Sequence, residues 1–293
     1  MDINFELYKV FYFVAYKKSF SSAARKLFIS QSAVSQAIRQ LEQKLDCNLF
    51  FRNTKRVTLT HEGQALYTYI EQAFNFIKSG EKRLGDMNSL VSGEIKIGAS
   101  DTICKYYLMP YFKVFNERYP GIKIKVTNRT SSKCIELLKN GSVDFSVVNI
   151  PLMKAFPQLE FRDTRAVQDV FIAGSSYGHL RNKELHLKDL EKLPLLVLEK
   201  NTITREYFDN MLAGYEVEIN PDIELGSIDV LVDMARIGLG IAFVPDFCAK
   251  SAAASDIFVL DIKEEVPERH MGVVTHKNIP LSVAASKFLE MLV

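Results

Sequence analysis

The chain has 293 residues, is 47% hydrophobic and 25% charged, and carries a net charge of +2, an ordinary globular composition long enough for two domains or three. The small net charge hides a segregation: residues 1–60 hold ten Lys/Arg against four Asp/Glu, a local +6, while 61–90 come to −1 and 91–293 to −3. A basic unit on a mildly acidic body points to a polyanion partner for the first part alone. No apolar run reaches the ~18 residues of a membrane span, and the start "MDINFELYKVFYF" lacks the parts of a secretory signal, so a cytoplasmic location is expected. The cysteines, Cys47, Cys104, Cys134 and Cys248, are scattered without a CxxC pair, the pattern of reduced thiols rather than a disulfide framework.

In chain order, "FELYKVFYFVAYKKSF" sets Phe5, Tyr8, Phe11, Tyr12 and Ala15 at spacings of three and four, which predicts an amphipathic helix. Ser21 is the expected N-cap of a short helix, "SAARKL", burying Ala23, Ala24 and Leu27. After "FIS", Ser30 caps a longer helix whose apolar face is Val34, Ile38, Leu41 and Leu45. Its other face holds Ser32, Ser35, Gln36 and Arg39, residues that bond base edges and phosphates where Glu would repel them. A short helix, a tight turn and a longer helix have helix-turn-helix spacing. "LFFRNTKRVTLT" then reads as a two-stranded wing with Arg52, Lys55 and Arg56 around its tip.

The run from Ser19 to Gly63 resembles the N-terminal domain of LysR-type transcriptional regulators. The matching pieces are Ser-Phe-x-x-Ala-Ala, Ser-Gln-Ser-Ala-Val-Ser, Ile-Arg-x-Leu-Glu, Leu-Phe-x-Arg and Leu-Thr-x-x-Gly. One departure is Ser32, where the family usually has Pro; both suit a first helical turn. The resemblance implies DNA contact by Gln31, Ser32, Ser35, Gln36, Arg39 and Arg52, with Lys55 and Arg56 beside them.

From His61 to Met87 there is no Pro, and Leu66, Ile70, Ala73, Ile77, Gly80, Leu84 and Met87 recur at alternating spacings of four and three. This is a heptad seam on a helix ~40 Å long. Pairing of Leu66, Ile70, Ala73, Ile77 and Leu84 with a second chain is expected, against packing on the chain's own body. In the resembled family this linker helix forms the dimer, and two dimers commonly join as a tetramer.

From Ser92 the pattern alternates β and α units, which predicts parallel sheets. "GEIKIGAS", "IKIKVTN" and "VDFSVVNI" are strands of one cluster; "DVFIAGS", "LPLLVLE", "DIELGS" and "GIAFVP" belong to a second; "MGVVTHK" and a last helix are expected to return to the first. Two α/β lobes joined by crossing strands make a hinged clamp. "LMPYFKVFNERYPGIKIKV", "LLKNGSVDFSVVN" and "ARIGLGIAFVP" resemble the effector domain of the same family, which is similar to periplasmic solute-binding proteins. Ligands of such sheets bind where strands end and helices begin, here at Ser100, Asp101, Thr102, Thr130, Ser131, Asn149, Thr202 and Ser227. Ser100, Thr102 and Thr202 match positions the family uses for its co-inducer, and Asp101 disfavours a purely anionic ligand unless it points away.

The expected fold class is therefore α+β multidomain. It comprises a winged helix-turn-helix over 1–60, a linker helix over 61–90 and a two-lobed α/β effector domain over 91–293, with lobe 1 at 91–163 plus 266–293 and lobe 2 at 164–265. GxGxxG, GxxxxGK, GxSxG and HExxH are absent and the five histidines are scattered, so no enzyme, metal site or cofactor is expected. The expected function is a sequence-specific DNA-binding regulator controlled by a small molecule. The resemblance implies double-stranded DNA with an interrupted palindrome, self-association and RNA polymerase as partners, and no membrane. Two alternatives stand beside it: a thiol-based redox regulator using Cys104 and Cys134, both near predicted helix N-termini where thiolates are favoured, and a cytosolic small-molecule-binding protein without direct gene control.

Overall fold

A computed structural model describes residues 3–51, 57–86, 92–151, 156–252 and 256–292. The chain divides into two compact units, 1–81 and 82–293.

The first unit starts with three helices, α1 (Phe5–Lys17), α2 (Phe20–Leu27) and α3 (Gln31–Leu45). Their apolar stripes meet in one core around Phe11, Val14, Ala23, Val34, Ile38, Leu41 and Leu49. Ser19, not Ser21, caps α2: its backbone is extended and its Oγ accepts from Ser22 N. Ser21 is the second residue of the helix, where its hydroxyl donates to Gln31 Oε1 at 3.0 Å. Ser30 caps α3 as expected, accepting from Ala33 N. The wing is anchored where Phe50 pairs with Leu59 in an antiparallel bridge. Glu42, buried on α3, holds this junction by accepting from Leu49 N at 2.8 Å. The long helix α4 (His61–Asp86) follows. Thr60 begins it, accepting from Gly63 N at 2.9 Å and donating to Asn48 O at 2.6 Å. A Cβ on Gly63 would stand 2.1 Å from Leu49 O, so the glycine is a steric requirement.

The second unit has two five-stranded sheets. Lobe 1 contains β1 (Gly93–Ala99), α5 (Asp101–Ile103), a π-turn Cys104–Leu108, α6 (Met109–Arg118), β2 (Ile122–Asn128), α7 (Ser131–Lys139), β3 (Phe145–Asn149) and β4 (Leu159–Val167). Lobe 2 contains β5 (Asp169–Gly174), β6 (Glu184–Leu185), β7 (Leu195–Leu198), α8 (Ile203–Gly214), β8 (Ile223–Leu225), α9 (Ile228–Arg236), β9 (Ile241–Pro245), α10 (Asp246–Ala252), β10 (Ile257–Val259) and β11 (Asp261–Ile262). β12 (Arg269–His276) and α11 (Val283–Leu289) return to lobe 1. The sheet orders are β2-β1-β3-β12-β4 and β10-β5-β9-β7-β8.

The expectation of parallel sheets holds only in part. β2, β1 and β3 are parallel, as are β8, β7 and β9, but β12 runs antiparallel to β3 and β4, and β5 antiparallel to β9 and β10. The crossing strands leave one lobe and come back reversed, so they join each sheet against its grain. The lobe boundary also moves, because β4 stays in lobe 1 to Val167 and the first crossing falls at Gln168. There Gln168 Nε2 donates to Val266 O at 2.8 Å and ties the two crossings together.

Candidate functional site

On the first unit, α3 turns its apolar stripe into the core and leaves Gln31, Ser32, Gln36 and Arg39 exposed, with Ser35 half-buried. Gln31 is held by Ser21, and the hydroxyls of Ser32 and Ser30 lie 2.8 Å apart. Among the described residues, Gln36 and Arg39 have no side-chain partner, so an amide and a guanidinium are free to bond outward. Ser32 to Arg39 spans about 10 Å of helix axis, the length of about three stacked base pairs. Arg52, Lys55 and Arg56 lie outside the described residues. Phe28, which no pattern in the sequence singles out, is 94% exposed and left-handed (φ 56°) at the end of α2; an aromatic there is uncommon.

The heptad seam is divided. Leu66 and Ile70 pack against the helix-turn-helix core, and Phe74 is buried against α1, stacking on Tyr12 with centroids 4.6 Å apart. Ile77, at 44%, stays exposed. The side chain of Leu84 lies outside those described. Spacing alone could not show that the N-terminal part of the stripe is covered by α1.

In the second unit, seven of the eight predicted effector residues come together. Ser100, Asp101, Thr102, Thr130, Ser131, Asn149 and Thr202 line one cavity between the lobes; Ser227 does not, although its neighbours Gly226 and Ile228 do. The remaining wall includes Ile203, Thr204, Phe247, Arg269 and Met271, which the sequence reading misses. The cavity measures about 60 Å³. Several of these hydroxyls already have tasks within the fold. Ser100 accepts from Ile103 N at 3.3 Å, Ser131 from Asn149 N at 3.1 Å, and Thr202 from Arg205 N at 3.2 Å while donating to Glu199 O at 3.1 Å. Thr202 is thus firmly engaged as the N-cap of α8.

The lobes are joined across this cavity. Asn149 Nδ2 donates to Thr204 Oγ1 at 3.2 Å, and Ile203 of α8 sits in a core cluster of lobe 1 with Ile135, Leu138 and Val274. Farther along, Asp229 of α9 accepts from Tyr106 Oη at 2.6 Å and Lys105 Nζ at 3.0 Å. Burial, reinforced by the Asp229 carboxylate, raises the Tyr106 phenol to about 12, so it stays a donor at neutral pH. At the crossing strands, the Arg269 guanidinium grips the buried Asp169 carboxylate through Nε and Nη2.

Both thiols of the redox alternative are packed into lobe 1. Cys104 opens the π-turn behind α5 and Cys134 lies inside α7, fully buried. Burial, with Asp101 adding to it, pushes the Cys104 thiol up to about 11, and burial pushes Cys134 up to about 11. Loss of hydration outweighs any benefit of a nearby helix start, so both are thiols at neutral pH. Among the described residues no three His, Cys, Asp or Glu side chains gather as a metal site, and no helix is long and apolar enough to cross a membrane.

Helix-turn-helix and clamp both match known families. Residues 5–64 match the bacterial regulatory helix-turn-helix protein, lysR family, and residues 88–293 match the LysR substrate binding domain. A probable RuBisCO transcriptional regulator of Cyanidioschyzon merolae is 27% identical over 300 residues, covering 99% of this chain and 98% of its own. A single-residue variant of full-length OxyR from Pseudomonas aeruginosa superposes with a TM-score of 0.74 at 17% identity, covering 100% of this chain and 95% of that one. Full-length CbnR complexed with its target DNA gives 0.68 at 17%, covering 99% of each. The CcmR regulatory domain of Synechocystis PCC6803 in complex with 2-PG gives 0.62 at 23%, covering 69% of this chain and 96% of that domain. A helix pair presented outward and a two-lobed ligand clamp are the parts of a DNA-binding regulator with an effector domain. The chain belongs to the LysR family of transcriptional regulators.

Proposed function

We propose that α3 reads base edges with Ser35 and Gln36 while Gln31, Ser32 and Arg39 fix it on the phosphates, joined by Arg52, Lys55 and Arg56 of the wing. The observation carrying this is the free pair Gln36 and Arg39 on a helix otherwise tied into its core. Self-association through α4 sets two such helices on an interrupted palindrome, and dimers pair further into a tetramer that meets RNA polymerase. The protein works in the cytoplasm as a regulator and not as an enzyme, without a bound cofactor. The functional limits are 1–60 for DNA binding, 61–90 for dimerisation and 91–293 for the effector.

The effector is a small molecule held between the lobes by Ser100, Asp101, Thr102, Thr130, Ser131, Asn149 and Thr202, with Ser227 at the start of α9 close by. The convergence of these residues on one cavity supports this reading, as does the 2-PG held by the CcmR domain. A ligand controls DNA binding only by binding one clamp state better than another. The test is binding of the full chain to duplex DNA across a salt series. Affinity falls steeply as salt rises, and Arg39→Ala lowers the slope of log K against log salt by about 1. Salt-independent binding would contradict the proposal.

A further inference from the structure

Arg269 is 94% buried, being 6% exposed, and lines the cavity between the lobes. A guanidinium carries five N–H donors. Asp169 takes one from Nε and one from Nη2. Nη1 has no partner, and it is the one buried side-chain polar atom among the described residues in that position. Leaving such a donor unmet costs free energy, so the site favours any acceptor that reaches it. The occupied edge of the fork is Nε/Nη2; the free edge is Nη1/Nη2, whose two parallel N–H groups match a planar carboxylate. Independently, the starts of α7, α8 and α9 all reach the same wall through Thr130 and Ser131, Ile203 and Thr204, and Gly226 and Ile228. Each brings the positive end of a helix dipole.

We infer that Arg269 anchors the effector, and that the effector carries a single carboxylate which docks on the Nη1/Nη2 edge at the base of the cleft. The inference rests on the cleft being the effector site. One charge is favoured over two because Asp169 already neutralises the guanidinium, the cavity wall offers no second Lys or Arg among the described residues, and Asp101 stands on the same wall. The apolar wall of Ile203, Ile228, Phe247 and Met271 then faces a short hydrocarbon body.

The test is thermal unfolding of the full chain at constant ionic strength with acetate and pyruvate, their neutral amides acetamide and pyruvamide, and inorganic phosphate. The carboxylates at ten times their Kd should raise the transition of the effector domain by roughly 2–5 °C, and the amides and phosphate should not. Arg269→Lys keeps a cation for Asp169 but has no fork, and should abolish the carboxylate shift. If that variant does not fold, Asp169→Asn with Arg269→Gln leaves no lone buried charge and should abolish it too. Equal shifts from amides, a preference for phosphate, or a carboxylate shift surviving loss of the fork overturns the anchor and leaves the effector cleft standing. No shift from any probe overturns the anchor as well.

Discussion

Gly63 has no room for a methyl group, since Leu49 O occupies the place of its Cβ. Gly63→Ala should therefore lower the stability of the first unit by about 1–3 kcal/mol, the usual cost of overpacking, measured by denaturant unfolding. Phe28 makes the opposite case. A left-handed backbone costs a bulky residue about 1–2 kcal/mol, and Asn tolerates it, so Phe28→Asn should raise stability by about 1 kcal/mol in the same measurement. Cys104 and Cys134, both raised to about 11 by burial, should resist iodoacetamide in the native protein at pH 8 and react once it is unfolded, as intact mass would show. Fast native alkylation would revive a thiol switch. Gly63 and Glu42 are visible in the sequence because their motifs are local. Arg269 is not, because the partner that orients it, Asp169, lies 100 residues earlier in the chain.

At the scale of elements, α3 is legible because its apolar period and its Ser30 cap are written within sixteen residues. Gln36→Ala should cut discrimination between target and random DNA by about 1–3 kcal/mol in competition binding; equal losses on both would assign Gln36 to the backbone. The stripe of α4 is legible as a stripe but not as to what covers it. Ile70 faces the helix-turn-helix core while Ile77 is exposed. Ile70→Asp should therefore destabilise the first unit itself, because a charge is forced into an apolar contact. Ile77→Asp should leave that unit folded and weaken self-association, read by sedimentation. A full-strength Ile77→Asp oligomer would move the interface elsewhere. The antiparallel crossings escape the sequence reading because alternating β and α units specify neighbours within a lobe and not how a strand re-enters a sheet.

At the scale of the molecule, the two lobes of the effector domain are bridged beside the cavity by Asn149–Thr204, by Asp229 with Tyr106 and Lys105, and by Ile203 in the core of lobe 1. Thr204→Val removes one bridging hydrogen bond, worth about 1 kcal/mol. It should enlarge the open population about fivefold and speed amide exchange around residues 202–204; unchanged exchange would mean that Ile203 alone holds the clamp. That the lobes meet is legible from the order of strands and helices, whereas Ile203 and Thr204 are hidden behind the more conspicuous Thr202 cap. The most direct measurement of the central claim, that this chain reads DNA sequence through α3, is selection of bound duplexes from a random pool by the full-length protein and by Gln36→Ala. The parent should enrich a two-fold motif interrupted at its centre, and the variant should blur the bases of each half-site while keeping their spacing. No enriched motif, or the same motif enriched equally by both proteins, would contradict it.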